Sequence, residues 1–162
     1  MDTYRIITDS GCDLSQEMAD ELELSVVPLS VNYKGQEYPN YLDGRALNPQ
    51  EFYAGLRSGE MTSTTAANPT LWKQHMEPVL SEGKDVLVLA FSSGLSTTYQ
   101  AACIAADELK EQYPDRKIEV VDSLCASLGQ GLLCWYVVNH KKEGASLEEL
   151  RNFANESDVQ KG

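Results

Sequence analysis

Four short runs of hydroxyl and acidic side chains stand out in this chain. Three follow strand-like segments: Thr8-Asp9-Ser10-Gly11, Ser92-Ser93-Gly94 and Asp122-Ser123. The fourth, Thr62-Ser63-Thr64-Thr65, leads into Asn68-Pro69, a helix-start signal. Hydroxyls donate hydrogen bonds without adding formal charge. Helix N-termini add unpaired N–H groups and the positive end of the helix dipole. Gathered on one rim, such groups would hold an anion. Ser and Thr also favour caps and turns for purely local reasons, so the residues alone leave both readings open.

Other chemistries have less support. Ser93 follows an apolar run and precedes a helix, as a nucleophile elbow does. The G-x-S-x-G pattern is absent, however, and no His is placed to activate it. His75 lies within a helical stretch, and His140 falls near a helix C-terminus, where a cation is favoured. Asp9 and Asp13 match no metal-loop spacing and read as a turn residue and an N-cap. Cys12 lacks a phosphatase signature and reads as a turn residue. Cys103 and Cys134 read as small core residues. No C-x-x-C pair occurs among the four cysteines. No catalytic residue, metal ligand or cofactor is assigned.

The elements that must position these runs alternate between strand and helix, the pattern of an α/β domain with a mostly parallel sheet. Strands are expected at 4–8, 25–33 (with Pro28 marking an edge or bulge), 85–91 and 117–122, and a short hairpin arm at 36–38. Asp85 to Phe91 is almost wholly apolar, as a central strand buried on both faces should be. Helices are expected at 14–22, from Asn48 to about Gly59, from Asn68 to Gly83, at 96–113 and at 126–142, with Gly129 and Gly131 weakening the last. Residues 60–67 read as a polar loop. Ser146-Leu147-Glu148-Glu149 is a capping box opening a final helix. In open sheets of this kind ligands bind beyond the C-terminal strand ends, where three of the hydroxyl runs fall.

The chain has 162 residues, 42% of them apolar, and a formal net charge of −12. That length suits one domain. So acidic a surface repels phosphate backbones, which argues against nucleic-acid binding. It does not exclude an anionic ligand held by local donors, because salt screens the diffuse field over about 8–10 Å. No apolar run is long enough to span a bilayer, and the N-terminus does not read as a signal peptide. A cytoplasmic location is expected.

Several segments, in order, resemble the DegV family of fatty-acid-binding proteins. Ile7-Thr8-Asp9-Ser10-Gly11-Cys12-Asp13-Leu14 is similar to its opening TDS-x-x-DL, and Val26-Val27-Pro28-Leu29 to its VVPL strand. Tyr41-Leu42-Asp43-Gly44 and Glu51-Phe52-Tyr53 follow. Then come Thr64-Thr65-Ala66-Ala67-Asn68-Pro69, Ser92-Ser93-Gly94-Leu95-Ser96-Thr97-Thr98-Tyr99-Gln100, and Asp122-Ser123 with Ser127-Leu128-Gly129-Gln130-Gly131. The resemblance implies a three-layer α/β sandwich, a central mostly parallel sheet flanked by helices, over residues 1–155. Residues 156–162 would be a polar tail or linker, and the family's C-terminal lobe is absent. It further implies a bound long-chain fatty acid as ligand and a separate fatty-acid kinase as partner, in phospholipid metabolism. The carboxylate would be held by Thr64 and Ser93, with Thr65 and Ser92 as neighbours in the same loops. Thr62-Ser63 also spells the motif's TS, which leaves a second register for the first loop. Thr97 departs from the family's Gly. A lobe without its neighbour should expose apolar surface, to be covered by a second copy or by the missing lobe. The alternatives from other classes are a Ser- or Asp-dependent hydrolase or phosphotransferase, and an assembly lobe that binds no ligand.

Overall fold

The apolar run DVLVLA forms the strand its composition calls for. In the computed structural model, which describes residues 3–156, it is β6 (Asp85–Ala90), buried from Val86 onward. On one side it pairs with β1 (Tyr4–Asp9), and on the other with β7 (Ile118–Asp122); β2 (Ser25–Val27) adds beyond β1. Every pairing is parallel, in the order β2-β1-β6-β7. A parallel sheet needs cover on both faces. One face carries α1 (Gln16–Glu21), α5 (Ser127–Lys142) and α6 (Leu147–Glu156), around Ile6, Leu87, Leu89, Leu133, Val137 and Leu150. The other carries α3 (Pro69–Ser81) and α4 (Thr98–Gln112), around Ile7, Trp72, Met76, Val86, Val88 and Leu109. Alternate residues of β1 and β6 therefore feed different cores, giving the three-layer sandwich expected from the sequence.

The expected 25–33 strand is split at Pro28. Pairing with β1 stops at Val27, opposite Asp9. The chain then enters a second, antiparallel sheet, in which β3 (Leu29–Tyr33) lies between β4 (Gln36–Asn40) and β5 (Thr62–Thr65). Residues 62–65, expected as part of a loop, are thus a strand. All four are exposed, so no apolar alternation marks them, but β-branched Thr fits an extended ladder. The Asn32 amide reinforces it, donating to the Ser63 and Thr65 hydroxyls at 3.2 and 2.9 Å. One face of this sheet packs on α2 (Pro49–Arg57), where the Tyr33 and Phe52 rings meet edge to face at 5.4 Å.

Caps behave as the sequence indicates at Asn48, Asn68 and Ser146, whose side chains accept from first-turn amides. Asp13 does not cap α1. It sits in the left-handed region at φ 53°, closing the short 3₁₀ turn Ser10–Cys12, and Ser15 caps α1 instead. The expected polar tail at 156–162 lies outside the described residues except for Glu156, which ends α6. Among the described residues no helix is long and apolar enough to cross a membrane.

Gly131 does not merely weaken α5; its lack of a side chain lets the helix approach the turn after β1. A Cβ there would lie 2.7 Å from the Cys12 carbonyl oxygen and 2.8 Å from Leu14. At Gly129 it would meet only Cys125, at 3.4 Å. Gly131→Ala is therefore expected to cost about 1–3 kcal/mol by overpacking, whereas Gly129→Ala should be neutral or stabilising by up to about 1 kcal/mol from helix propensity. Denaturant titration of the two variants checks this, and equal effects would contradict it.

Candidate functional site

The chain leaves β1 toward β2 on one side and β6 toward β7 on the other. The connections after β1 and β6 consequently diverge, and a crevice opens at the C-terminal ends of these two strands. A cleft of about 640 Å³ occupies this position. Ser10 and Gly11 contribute from the turn after β1, and Phe91, Leu95, Ser96 and Thr97 from the connection after β6. Thr64 and Thr65 reach it from β5.

Asp9 fixes the mouth of this crevice from beneath. Fully buried, it accepts from the Gly11 amide at 2.9 Å, the Phe91 amide at 2.8 Å and Gln130 Nε2 at 3.0 Å. One carboxylate thus ties the turn after β1, the end of β6 and the first turns of α5. Gln130 also donates to Thr8 Oγ1 at 3.0 Å, and that hydroxyl donates to the Leu89 carbonyl at 2.7 Å. Burial pushes the Asp9 carboxyl above the usual carboxylate range, against the opposing pull of its three N–H donors. Ser10 is structural as well, its Oγ accepting from the Leu29 amide. Gln130 was not singled out from the sequence; the available signal was an amide near the start of an apolar helix.

The hydroxyls divide into engaged and free. Thr62 donates to the Asn32 carbonyl, Ser63 and Thr65 accept from the Asn32 amide, and Ser92 accepts from the Gly94 amide. Ser96 and Thr98 hydroxyls pair at 2.8 Å. The hydroxyls of Thr64, Ser93 and Thr97 have no hydrogen-bond partner among the described residues. Thr64 and Thr65 line the cleft; Ser92 and Ser93 belong to the connection that walls it but are not among its lining residues, and Ser96 and Thr97 face it in their place. Ser93 is half-buried, and its amide donates to Asp122 Oδ1 at 3.1 Å.

Helix starts divide in the same way. α1, α2, α3 and α6 are capped by side chains; in α4 the N-cap Thr97 makes no such bond but Ser96 Oγ accepts from the Thr98 amide at 3.2 Å, and α5 has no side-chain cap. The starts of α4 and α5, at Thr97 and at Ala126-Ser127, line the cleft. Each presents first-turn N–H groups with no intrahelical partner. No Lys, Arg or His lines the cleft among the described residues. The single charged lining residue is Asp13, whose carboxylate accepts from the Ser127 hydroxyl.

The groups considered for catalysis are placed elsewhere or occupied. Neither His75 nor His140 lines the cleft. His75 is held below its ordinary pKa by burial, and His140 pairs with Glu143 at 3.4 Å. Burial pushes the Cys12 thiol up to about 11. Among the described residues no group of three His, Cys, Asp or Glu side chains could hold a metal ion.

A family model described as "Uncharacterised protein, DegV family" matches residues 3–160. The chain belongs to the DegV family. A DegV domain-containing protein of Clostridium perfringens is 40% identical over 157 residues, covering 97% of this chain and 54% of that protein. Two solved structures are similar. The first, reported for fatty-acid binding by a DegV family protein of Thermus thermophilus, has a TM-score of 0.84 at 31% identity and covers 98% of this chain and 54% of that one. The second, a stearic-acid-binding protein of Eubacterium ventriosum, has a TM-score of 0.85 at 27% identity, over 94% and 52%. The chain spans about half the length of the DegV relatives it matches.

In DegV terms, the TDS segment supplies the Asp9 clamp. Because burial raises the folded-state pKa of Asp9, the folded state holds its proton more tightly than the unfolded chain does. The stability from this linkage is fully present below the unfolded value of 3.8 and is lost as pH rises through the raised folded value. Asp9→Asn removes the titration. The stability of the wild type minus that of the variant is expected to fall as pH rises from about 4. Denaturant midpoints across a pH series measure it, and a difference that rises with pH would contradict it.

Proposed function

We propose that this lobe binds a fatty acid by its carboxylate in the cleft beyond β1 and β6, with no chemical step of its own. Thr64 is the donor on the β5 wall. On the opposite wall Thr97 lines the cleft, with the amides of α4 beyond Thr98; Ser93, the residue the DegV resemblance assigns, lies in the connection behind that wall and would have to turn toward it. The observation that carries the reading is the gathering of Thr64, Thr97 and the starts of α4 and α5 around one cleft. Thr64 and Ser93, the pair to which the DegV resemblance assigns the carboxylate, have hydroxyls without a partner, whereas Thr62 has given its proton to the Asn32 carbonyl; Ser63, Thr65 and Ser92 accept from neighbouring N–H groups and keep a proton to donate. This favours Thr64 over Thr62 as the residue of the first loop. Thr65 and Ser92 are secondary donors beside them.

An anion held by neutral groups needs several of them, each hydrogen bond to a charged acceptor contributing about 1.5–3 kcal/mol. The proposed set supplies that number without any cation. Fatty-acid binding by the Thermus thermophilus protein and stearic-acid binding by the Eubacterium ventriosum protein support a fatty acid as the anion. Presentation of the bound acid to a separate fatty-acid kinase follows from the family resemblance. The exposed residues Leu128, Leu132 and Trp135 on α5 form an apolar surface that a second copy, or the half that longer relatives carry, would cover.

Mass spectrometry of an organic extract of the purified chain is expected to find co-purified long-chain fatty acid. No acyl species, and none taken up on incubation, would overturn the proposal. Thr64→Ala and Ser93→Ala should each weaken palmitate binding by about 1–3 kcal/mol, while Thr62→Ala leaves it essentially unchanged. Calorimetry measures all three, and a loss at Thr62 in place of Thr64 would move the site to the other register.

A further inference from the structure

The geometry points to Thr97 as the residue that sets which acids this lobe accepts, passing those unsubstituted at C2 and excluding those branched there. The inference rests on the carboxylate site proposed above and takes it from a ligand class to a selectivity. The connection from β6 to α4 has little left to offer a ligand. The Ser92 amide donates to the Cys125 carbonyl at 3.0 Å, and the Ser93 amide to Asp122 Oδ1 at 3.1 Å. The Gly94 amide donates to Ser92 Oγ, and the Leu95 and Ser96 amides both donate to the Ser92 carbonyl at 3.1 Å. Ser96 Oγ accepts from the Thr98 amide and pairs with the Thr98 hydroxyl. Two hydroxyls of this connection have no partner, those of Ser93 and Thr97, and of the two residues only Thr97 lines the cleft.

The same bonds hold Thr97 in place. The turn closed on the Ser92 carbonyl precedes it, and its own carbonyl accepts from the Ala101 amide at 3.0 Å in the first turn of α4. An N-cap threonine usually has an extended backbone and accepts from a first-turn amide. Thr97 has φ −82° and ψ 4°, and its side chain makes no cap bond. A hydroxyl withheld from the cap is available to a ligand. Threonine is branched at Cβ and stiff at χ1, so its hydroxyl and γ-methyl are presented together.

Charge places the head group beside Thr97. Asp13, bonded to the Ser127 hydroxyl at the start of α5, repels a second carboxylate, so the head group lies toward the start of α4. A carboxylate that accepts from Thr97 Oγ1 at about 2.7 Å has the γ-methyl, borne on the same carbon, within van der Waals reach of C2. Two hydrogens at C2 make that contact an ordinary one. A methyl branch at C2 collides with it. One side chain thus supplies both a donor and a steric limit.

Calorimetry of palmitate and 2-methylpalmitate on the wild type, Thr97→Val and Thr97→Ser tests the assignment. Valine keeps the shape without the hydroxyl, and serine keeps the hydroxyl without the methyl. Thr97 is exposed, so both variants should fold. The wild type should prefer palmitate by at least about tenfold. Thr97→Val should bind palmitate at least about tenfold more weakly than the wild type does and keep the preference. Thr97→Ser should reduce the preference to about threefold or less. A merely structural effect would lower both affinities together and leave their ratio unchanged. A wild type that binds the two acids equally, or a serine variant that keeps the full preference, overturns the steric limit. A valine variant that binds palmitate as the wild type does overturns the donor. In each of these cases the carboxylate site itself stands if Thr64→Ala still weakens palmitate binding. A wild type that binds neither acid overturns the site and this inference with it.

Discussion

A carboxylate taken out of water must be met by donors or it destabilises the fold. Asp9 is such a group, and its donors come from three elements: the Gly11 amide after β1, the Phe91 amide after β6 and the Gln130 side chain of α5. The two connections that diverge from neighbouring strands are held together by a charge that tolerates little displacement. If either connection moved away, Asp9 would lose a partner in the interior, at a cost of about 1–3 kcal/mol or more. Gly131 acts in the same place by steric means, letting α5 lie against the Cys12 carbonyl so that Gln130 can reach Thr8 and Asp9. The crevice is rigid at its base for these reasons. The groups that remain free stand on its walls.

The electrostatics of those walls are unusual for an anion site. The chain has a net charge of −12, and the described lining of the cleft holds no cation. In the proposed site attraction would come from oriented dipoles: hydroxyls that can turn their protons inward, and first-turn amides of α5 and of α4 beyond Thr98, whose own amide is taken by Ser96. Dipoles of this kind act at short range and are fixed by the fold, so they discriminate by position more than by total charge. Asp13, at the far edge, contributes the opposite sign and gives the cleft a polarity.

Much of this was legible in the sequence, for reasons that can be assigned to residues. β6 was readable because Val86 to Ala90 are buried on both faces and hence uniformly apolar. The Asn-Pro starts of α2 and α3 were readable because cap and first-turn chemistry is local. β5 was not, since its four exposed residues carry no alternation and its ladder depends on β3, about thirty positions earlier. The split at Pro28 was marked by the proline, but the second sheet it leads into was not. Asp13 and Ser15 are both good caps by type; the left-handed turn at Asp13 decided between them. In the site, residue types gave the hydroxyl loops, and the family resemblance singled out Thr64 and Ser93. Which hydroxyls accept from Asn32 or Gly94, and which one has given its proton to a carbonyl, could be known only from the fold. The same holds for Ser96 and Thr97 facing the cleft where Ser93 was expected.

The central claim is that neutral donors hold an ionised carboxylate. It is tested most directly by carbon-13 NMR of palmitate labelled at its carboxyl carbon and bound to the chain, followed through an acid titration. Donors that favour the charged form lower its pKa. The bound resonance is therefore expected to keep the ionised position well below the value of about 4–5 usual for a carboxylic acid, for as long as the protein stays folded. A bound resonance that titrates at or above that value would mean that no convergent donors surround the carboxylate, and would contradict the account.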